Sequence, residues 1–145
     1  MKKHALAVAI LVGLFTLGAA GPVQAQSSFR VNIPFAFVAG ETTFAAGEYV
    51  VQPPQIGGAR ALVLQRVDGK GSAILLGMNV QANGTQSETR LVFHRYENAY
   101  FLSTMWSAGN RYGVQIRESH REVELAKNET PDQIILLARS SVPSR

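Results

Sequence analysis

Thr89–Gly113 reads TRLVFHRYENAYFLSTMWSAGNRYG, and this stretch decides the fold class. Phe93, Tyr96, Tyr100, Phe101, Trp106 and Tyr112 are distributed over runs of alternating character on either side of Glu97-Asn98. That is the pattern of a β-hairpin, in which successive side chains point to opposite faces. With Glu97-Asn98 as the turn, Arg95 is expected opposite Tyr100, Phe93 opposite Leu102 and Leu91 opposite Thr104, on one side together with Trp106. Val92, His94, Phe101 and Met105 take the other side. Neither side is purely polar, so the hairpin belongs near the middle of the fold. Ala108-Gly109-Asn110 makes a further turn into a short strand, Tyr112–Arg117.

Working outward, Ala61–Val67 and Ser72–Val80 are two apolar runs joined by Asp68-Gly69, a strong hairpin signal because both residues tolerate the turn's left-handed backbone. The unbroken apolar stretch Ala73–Leu76 predicts burial on both faces. Phe29–Val38 alternates, with Phe29, Val31, Ile33, Phe35 and Phe37 on one face. Pro34 cannot donate to a ladder and predicts a sheet edge or a bulge there. Ala39–Gly47 reads as a connection, and Glu48–Gln52 as a strand stopped by Pro53-Pro54 and a Gln55–Gly58 turn. Downstream, Ser119 and Glu122 fit a capping box, which opens a helix ending near Asn128, before Pro131. Gln133–Ala138 reads as a buried strand returning to the sheet. The expected fold is all-β: an antiparallel sandwich or small barrel of seven to eight strands, with hairpin connections and one short helix near the C-terminus.

The first 25 residues stand apart. Lys2 and Lys3 precede a charge-free run from Ala5 to Ala20, and Gly21-Pro22 leads into Val23-Gln24-Ala25, a small-x-small pattern. This predicts a secretory signal peptide cut after Ala25, with residues 26–145 forming a single β-rich domain. The apolar run is shorter than the ~20 residues of a membrane-spanning helix, so no span is expected after cleavage. Loss of the two lysines halves the formal charge of +4. No electrostatic case for nucleic acid survives. The chain has no cysteine, which excludes disulfides and thiolate chemistry and leaves stability to the core. Export to the periplasm or the extracellular space is the expected localisation.

Pro34-Phe35-Ala36-Phe37, Gly40, Ala46-Gly47-Glu48-Tyr49, His94-Arg95-Tyr96, Tyr100-Phe101-Leu102-Ser103 and the Glu122-Val123-Glu124-Leu125-Ala126 helix together resemble a family of small exported hypothetical proteins from environmental bacteria. The resemblance runs over most of residues 29–127. It implies one exported β-rich domain and carries over no catalytic residue.

Candidate chemistry is sparse. His94-Arg95-Tyr96 is the densest cluster, but strand alternation sends Arg95 away from the other two, so the three cannot converge on one substrate atom. His120 and Glu124 are four apart on the expected helix; two ligands are too few for a metal site, and a solvated face of Glu118, Arg121, Glu122, Glu124 and Lys127 accounts for them. Gly69-Lys70-Gly71-Ser72 lacks the spacing of a phosphate loop and is a hairpin tip. Asn83-Gly84-Thr85 and Asn128-Glu129-Thr130 match a glycosylation sequon by chance. No catalytic residue, metal set or cofactor is assigned.

The positive signal is aromatic: Tyr96, Tyr100, Trp106 and Tyr112, with Arg95 and Arg111, suit a protein or carbohydrate partner in the cell envelope. The expected function is that of an exported, non-enzymatic binding or envelope-associated protein. Two alternatives remain. One is a small-ligand binder with an apolar barrel cavity of at least ~300 Å³ lined by residues such as Phe35, Phe93, Leu102 and Trp106. The other is a hydrolase using His94 or His120, which requires a carboxylate or hydroxyl within reach of the imidazole.

Overall fold

The computed structural model describes residues 28–52 and 61–140; the expected signal peptide and the Pro53–Gly58 turn lie outside them. The first strands are β1 (Phe29–Ile33), β2 (Phe37–Ala39), β3 (Thr42–Phe44) and β4 (Gly47–Gln52). The long hairpins follow: β5 (Ala61–Arg66) with β6 (Ser72–Gln81), then β7 (Arg90–Tyr96) with β8 (Ala99–Trp106). The chain closes with β9 (Tyr112–Ile116), the helix α1 (His120–Ala126), β10 (Asp132–Leu137) and β11 (Arg139–Ser140).

The all-β class and the single short helix are as expected, but the described residues hold eleven strands rather than seven or eight. The excess has local causes. Pro34 splits the first run into β1 and β2. The presumed connection over Ala39–Gly47 folds back on itself as the β2–β3 hairpin, with Gly40 at φ 58° in its turn. A residue-long break at Ala138 separates β11 from β10.

The strands follow the order β10-β7-β8-β9-β6-β5-β4-β1-β11, with β2 and β3 attached beside β8. Neighbours run antiparallel except β2 and β8, which pair in parallel at Val38 and Phe101, so the sheet is mixed and hairpin connections do not account for all of it. Two corners roll it around one core. β6 is long enough to serve both halves: Ser72–Leu76 pair with β5, and Gly77–Gln81 pair with β9. The second corner is Ala138, whose N–H donates to Thr89 O, holding β10 on β7 while β11 crosses to β1. The ladder does not close, because β1 past Arg30 has no hydrogen-bonded neighbour in β10.

Alternation fills the interior as the pleat requires. Val31 and Ile33 of β1, Tyr49 and Val51 of β4, Leu62 and Leu64 of β5, and Leu91 and Phe93 of β7 are all buried in one cluster. Phe37 sits among rings, with centroids 5.3 Å from Phe44, 5.5 Å from Tyr49 and 5.5 Å from Phe93. The Tyr49 hydroxyl donates to Ala45 O, so the buried phenol is satisfied. The residues expected around an apolar cavity are packed instead. Phe93 and Leu102 lie in the core, and Phe35 fills the space beside them, edge-on to Phe93 at 5.1 Å and stacked on Tyr100 at 3.9 Å.

The β7–β8 hairpin forms around Glu97-Asn98, and Arg95 faces Tyr100 and Phe93 faces Leu102, as expected. Beyond Phe93 the register shifts, so Val92 faces Thr104, and Leu91 faces Met105 rather than Thr104. Ser103 is the extra residue of a β-bulge, in which two residues of one strand oppose one of the other. Its Oγ lies 3.2 Å from Thr104 Oγ1, so both hydroxyls sit together. The bulge reverses the expected assignment past it: Met105 joins Leu91 in the core, and Trp106 turns to the outer face.

Candidate functional site

The outer face of the β10-β7-β8-β9-β6 half is divided in two. Its turn end is covered by α1. Ser119 Oγ caps that helix by accepting from Glu122 N at 3.0 Å, an arrangement worth about 1 kcal/mol. A second acceptor comes from the β2–β3 turn, where Glu41 Oε1 takes the His120 N–H at 3.0 Å. The expected reciprocal half of the capping box is absent, because Glu122 turns inward to the sheet. Its Oε1 lies 2.8 Å from His94 Nδ1, and only 3% of its side chain is exposed. Burial pushes the Glu122 carboxyl up from its ordinary range, against the opposing pull of the imidazole. Arg121 lies over the Phe101 ring at 5.9 Å, and Tyr96 meets Phe101 edge-on at 5.7 Å.

The rest of this face is open. Cross-strand register places Leu137, Arg90, Trp106, Gly113 and Val80 in one row, and Ile135, Val92, Thr104, Gln115 and Met78 in the next. Trp106 lies across Gly113, where a Cβ would meet its ring at 2.7 Å, so the absent side chain lets the indole lie flat. Two aliphatic borders stand out to solvent. On β6, Ile74, Leu76 and Met78 are 72%, 69% and 56% exposed, and on β10 Ile135 and Leu137 are 51% and 57% exposed. The expectation of burial on both faces for Ala73–Leu76 is therefore corrected: only Leu75 is buried there, and Ile74 and Leu76 face water. These two rows contain no carboxylate.

The six aromatic and arginine candidates are not brought together. Tyr96 is buried beneath α1, where desolvation pushes its phenol up and the nearby Glu122 adds to the effect. Tyr100 is half-buried on Phe35. Arg95 is engaged by Asp132 Oδ2 at 2.6 Å, a hydrogen bond that holds its guanidinium still higher than usual. Trp106, Arg111 and Tyr112 lie at the other end of β8 and β9, roughly 20 Å away at about 3.4 Å per residue. Trp106 and Tyr112 also face opposite sides, since Tyr112 is one residue from Gly113.

His120 has a carboxylate neighbour as well. Glu41 Oε1 is 2.8 Å from its Nδ1, and the His120 N–H and imidazole together hold Glu41 below the usual carboxylate range. The pair sits at a groove of about 440 Å³ that Arg117, Glu118, Val123 and Glu124 complete. His120 is 97% exposed. No group of three or more potential ligands suitable for a metal ion occurs among the described residues.

The two carboxylates that engage the histidines were not marked in the sequence. Glu41 and Glu122 lie 79 and 28 residues from their partners, and no local periodicity links them. The exposed β6 stripe had a signal, the alternation of Ile74, Leu76 and Met78, but it lay within a continuous apolar run that reads equally well as a strand covered on both sides.

The chain matches no protein-family model, no curated protein and no solved structure.

Proposed function

We propose that this chain is an exported, non-catalytic protein that acts by binding in the cell envelope through the open outer face of its sheet. The observation that carries the reading is the aliphatic border of β6, where three large side chains at alternate positions stand mostly in water. Single exposed aliphatics are common, but a row of them beside a half-buried tryptophan is the composition of contact surfaces. The charge-free N-terminal run and the lack of cysteine fit export without disulfide framework. Replacing Ile74, Leu76 and Met78 together by serine should lower stability by no more than about 1.5 kcal/mol in total and leave the protein folded, because surface changes away from structural features are typically within about 0.5 kcal/mol each. The same change should move the protein from the envelope-bound to the freely released fraction after osmotic shock of a secreting bacterium. An identical distribution of the variant and the parent, or a product whose intact mass retains residues 1–25 in a membrane fraction, would end this reading.

A second reading is favoured by one observation, the Glu41 carboxylate beside His120 at the mouth of a groove. The side chains around that groove include no hydroxyl, so a hydrolase there would have to activate water directly. Its expected signature is ester hydrolysis that falls on His120→Ala; equal rates for the two proteins with 4-nitrophenyl acetate would dispose of it.

A further inference from the structure

We infer that the cleft between β1 and β10 is a docking site for the free C-terminal end of an extended segment from a partner protein. The inference rests on the reading of the chain as a binding protein, and it names a surface and an occupant that the outer face alone does not. The cleft is a fork. Its vertex is fixed where Arg30 pairs with Arg139 and Phe29 with Ser140, while the Ala138 N–H stays on Thr89 O and draws β10 away toward β7. From the vertex the two strands diverge with no hydrogen bond between them among the described residues. Val31–Ile33 on one side and β10 on the other therefore present unused backbone donors and acceptors, which a strand supplied from outside can satisfy.

The cleft has room and the right walls. It measures about 450 Å³ and runs between Val31 and Asn32 of β1 and Leu136 and Leu137 of β10, with Arg30, Glu48 and Arg139 at its charged end. β10 also lacks the usual protection of an edge. Gln133–Leu137 contain no charge and no proline, and Ile135 and Leu137 are exposed beside it.

Charge identifies which end of the occupant enters. Arg30 and Arg139 lie directly opposite each other, a like-charge arrangement that costs stability in a sheet. Glu48 approaches only Arg30, at 3.7 Å, and Arg139 has no carboxylate partner among the described residues. A second anion is called for at the vertex. Because the β1–β11 pairing shuts the fork there, an inserted strand must stop at that point. A strand running parallel to β10 stops with its C-terminal carboxylate between the two guanidiniums; the opposite direction would bring an ammonium to them. Strand addition would supply the main-chain hydrogen bonds, and the two arginines charge-assisted ones to the carboxylate.

The test uses the protein purified from the secreting host and the N-terminally fluorescein-labelled peptide Thr-Val-Thr-Val-Ile, followed by fluorescence anisotropy. The peptide with a free carboxylate should bind saturably, its C-terminal amide at least about tenfold more weakly, equivalent to about 1.4 kcal/mol. Methylation of every peptide nitrogen should abolish binding. Arg139→Gln, a change on an exposed side chain whose fold is checked by circular dichroism, should bring the acid and amide peptides within twofold of each other; Arg30→Gln should do the same. The inference is overturned by no saturable binding, by equal binding of acid and amide to the unaltered protein, or by full retention after methylation. A concentration-dependent dimer in light scattering that the free-acid peptide dissolves would also overturn it, since the fork would then hold a second copy. The serine variant of the outer face tests the broader reading independently, because Ile74, Leu76 and Met78 take no part in the fork.

Discussion

Alanine in place of Gly77 is expected to lower stability by about 3 kcal/mol, at the upper end of single substitutions, and to reduce the melting temperature by roughly 10–15 °C for a domain of this size. A Cβ at Gly77 would run into Gln115 O, and would stand 2.8 Å from Val114 Cγ1. The oxygen belongs to the backbone of β9, so a new rotamer of Val114 would relieve its own contact but not this one. The position cannot shift cheaply either. Gly77 is where β6 leaves β5 and takes up β9, with Leu76 paired to Ala61 and Gly77 paired to Ile116. Displacing β9 there would disturb its pairing with β8, where Thr104 faces Gln115 and Met105 faces Val114. Gly71→Ala in the preceding turn, where a Cβ meets nothing within 4 Å, is the matched control and should change stability by less than about 1 kcal/mol. Thermal denaturation of the two variants side by side checks the difference; near-equal melting temperatures would show that the corner is not held by close backbone approach.

Replacing His94 by leucine is expected to cost about 2 kcal/mol at pH 8, because it leaves the Glu122 carboxylate buried without its partner. The figure lies below the usual range for a broken buried pair, since His94 is itself 20% exposed and water can approach from its side. The penalty should shrink toward pH 4. Burial raises the folded-state pKa of Glu122, so in acid the carboxyl is neutral and leucine strands no charge. The same shift fixes a sign for the parent protein. A carboxyl with a folded pKa above its unfolded value of 4.5 binds its proton more tightly when folded. Its contribution is therefore fully present below the unfolded value and is lost as pH rises through the folded one. Glu122→Gln keeps an acceptor for His94 and removes the titration. Urea denaturation of both proteins from pH 4 to pH 8 should accordingly show the parent losing ground to the glutamine variant as pH rises. A difference that stayed flat, or grew in the other direction, would mean that the carboxylate is effectively hydrated in the folded state.

The fold was largely legible because its strongest signals are local. Asp68-Gly69 joins β5 and β6 as the dipeptide predicts, with Gly69 at φ 76°. Glu97-Asn98 turns β7 into β8 with Glu97 at φ 48°, and the pairing nearest the turn follows from counting outward. Counting fails at Ser103, because a bulge is a choice between two registers of similar local quality that packing settles from outside the hairpin. Ser119 caps the helix as the capping box predicts, but the glutamate three residues on is taken by His94 from another element. That competition is tertiary, and nothing in the spacing of Ser119 and Glu122 reveals it. The candidate aromatics failed to converge for a related reason. Sequence proximity placed Tyr96 beside Tyr100 and Trp106, whereas helix cover, stacking on Phe35 and the bulge sent the three to different environments.

The corner at Ala138 also constrains when this protein can fold. β10 completes one end of the sheet and β11 the other, so Phe29 waits for Ser140, more than a hundred residues later. A chain emerging from the ribosome cannot secure either border until its last strands are out, and nascent pairing over so long a separation is slow. Under the export proposed above, that delay would favour translocation ahead of folding. The same connection that rolls the finished sheet leaves the unfinished one open until its last strands have emerged.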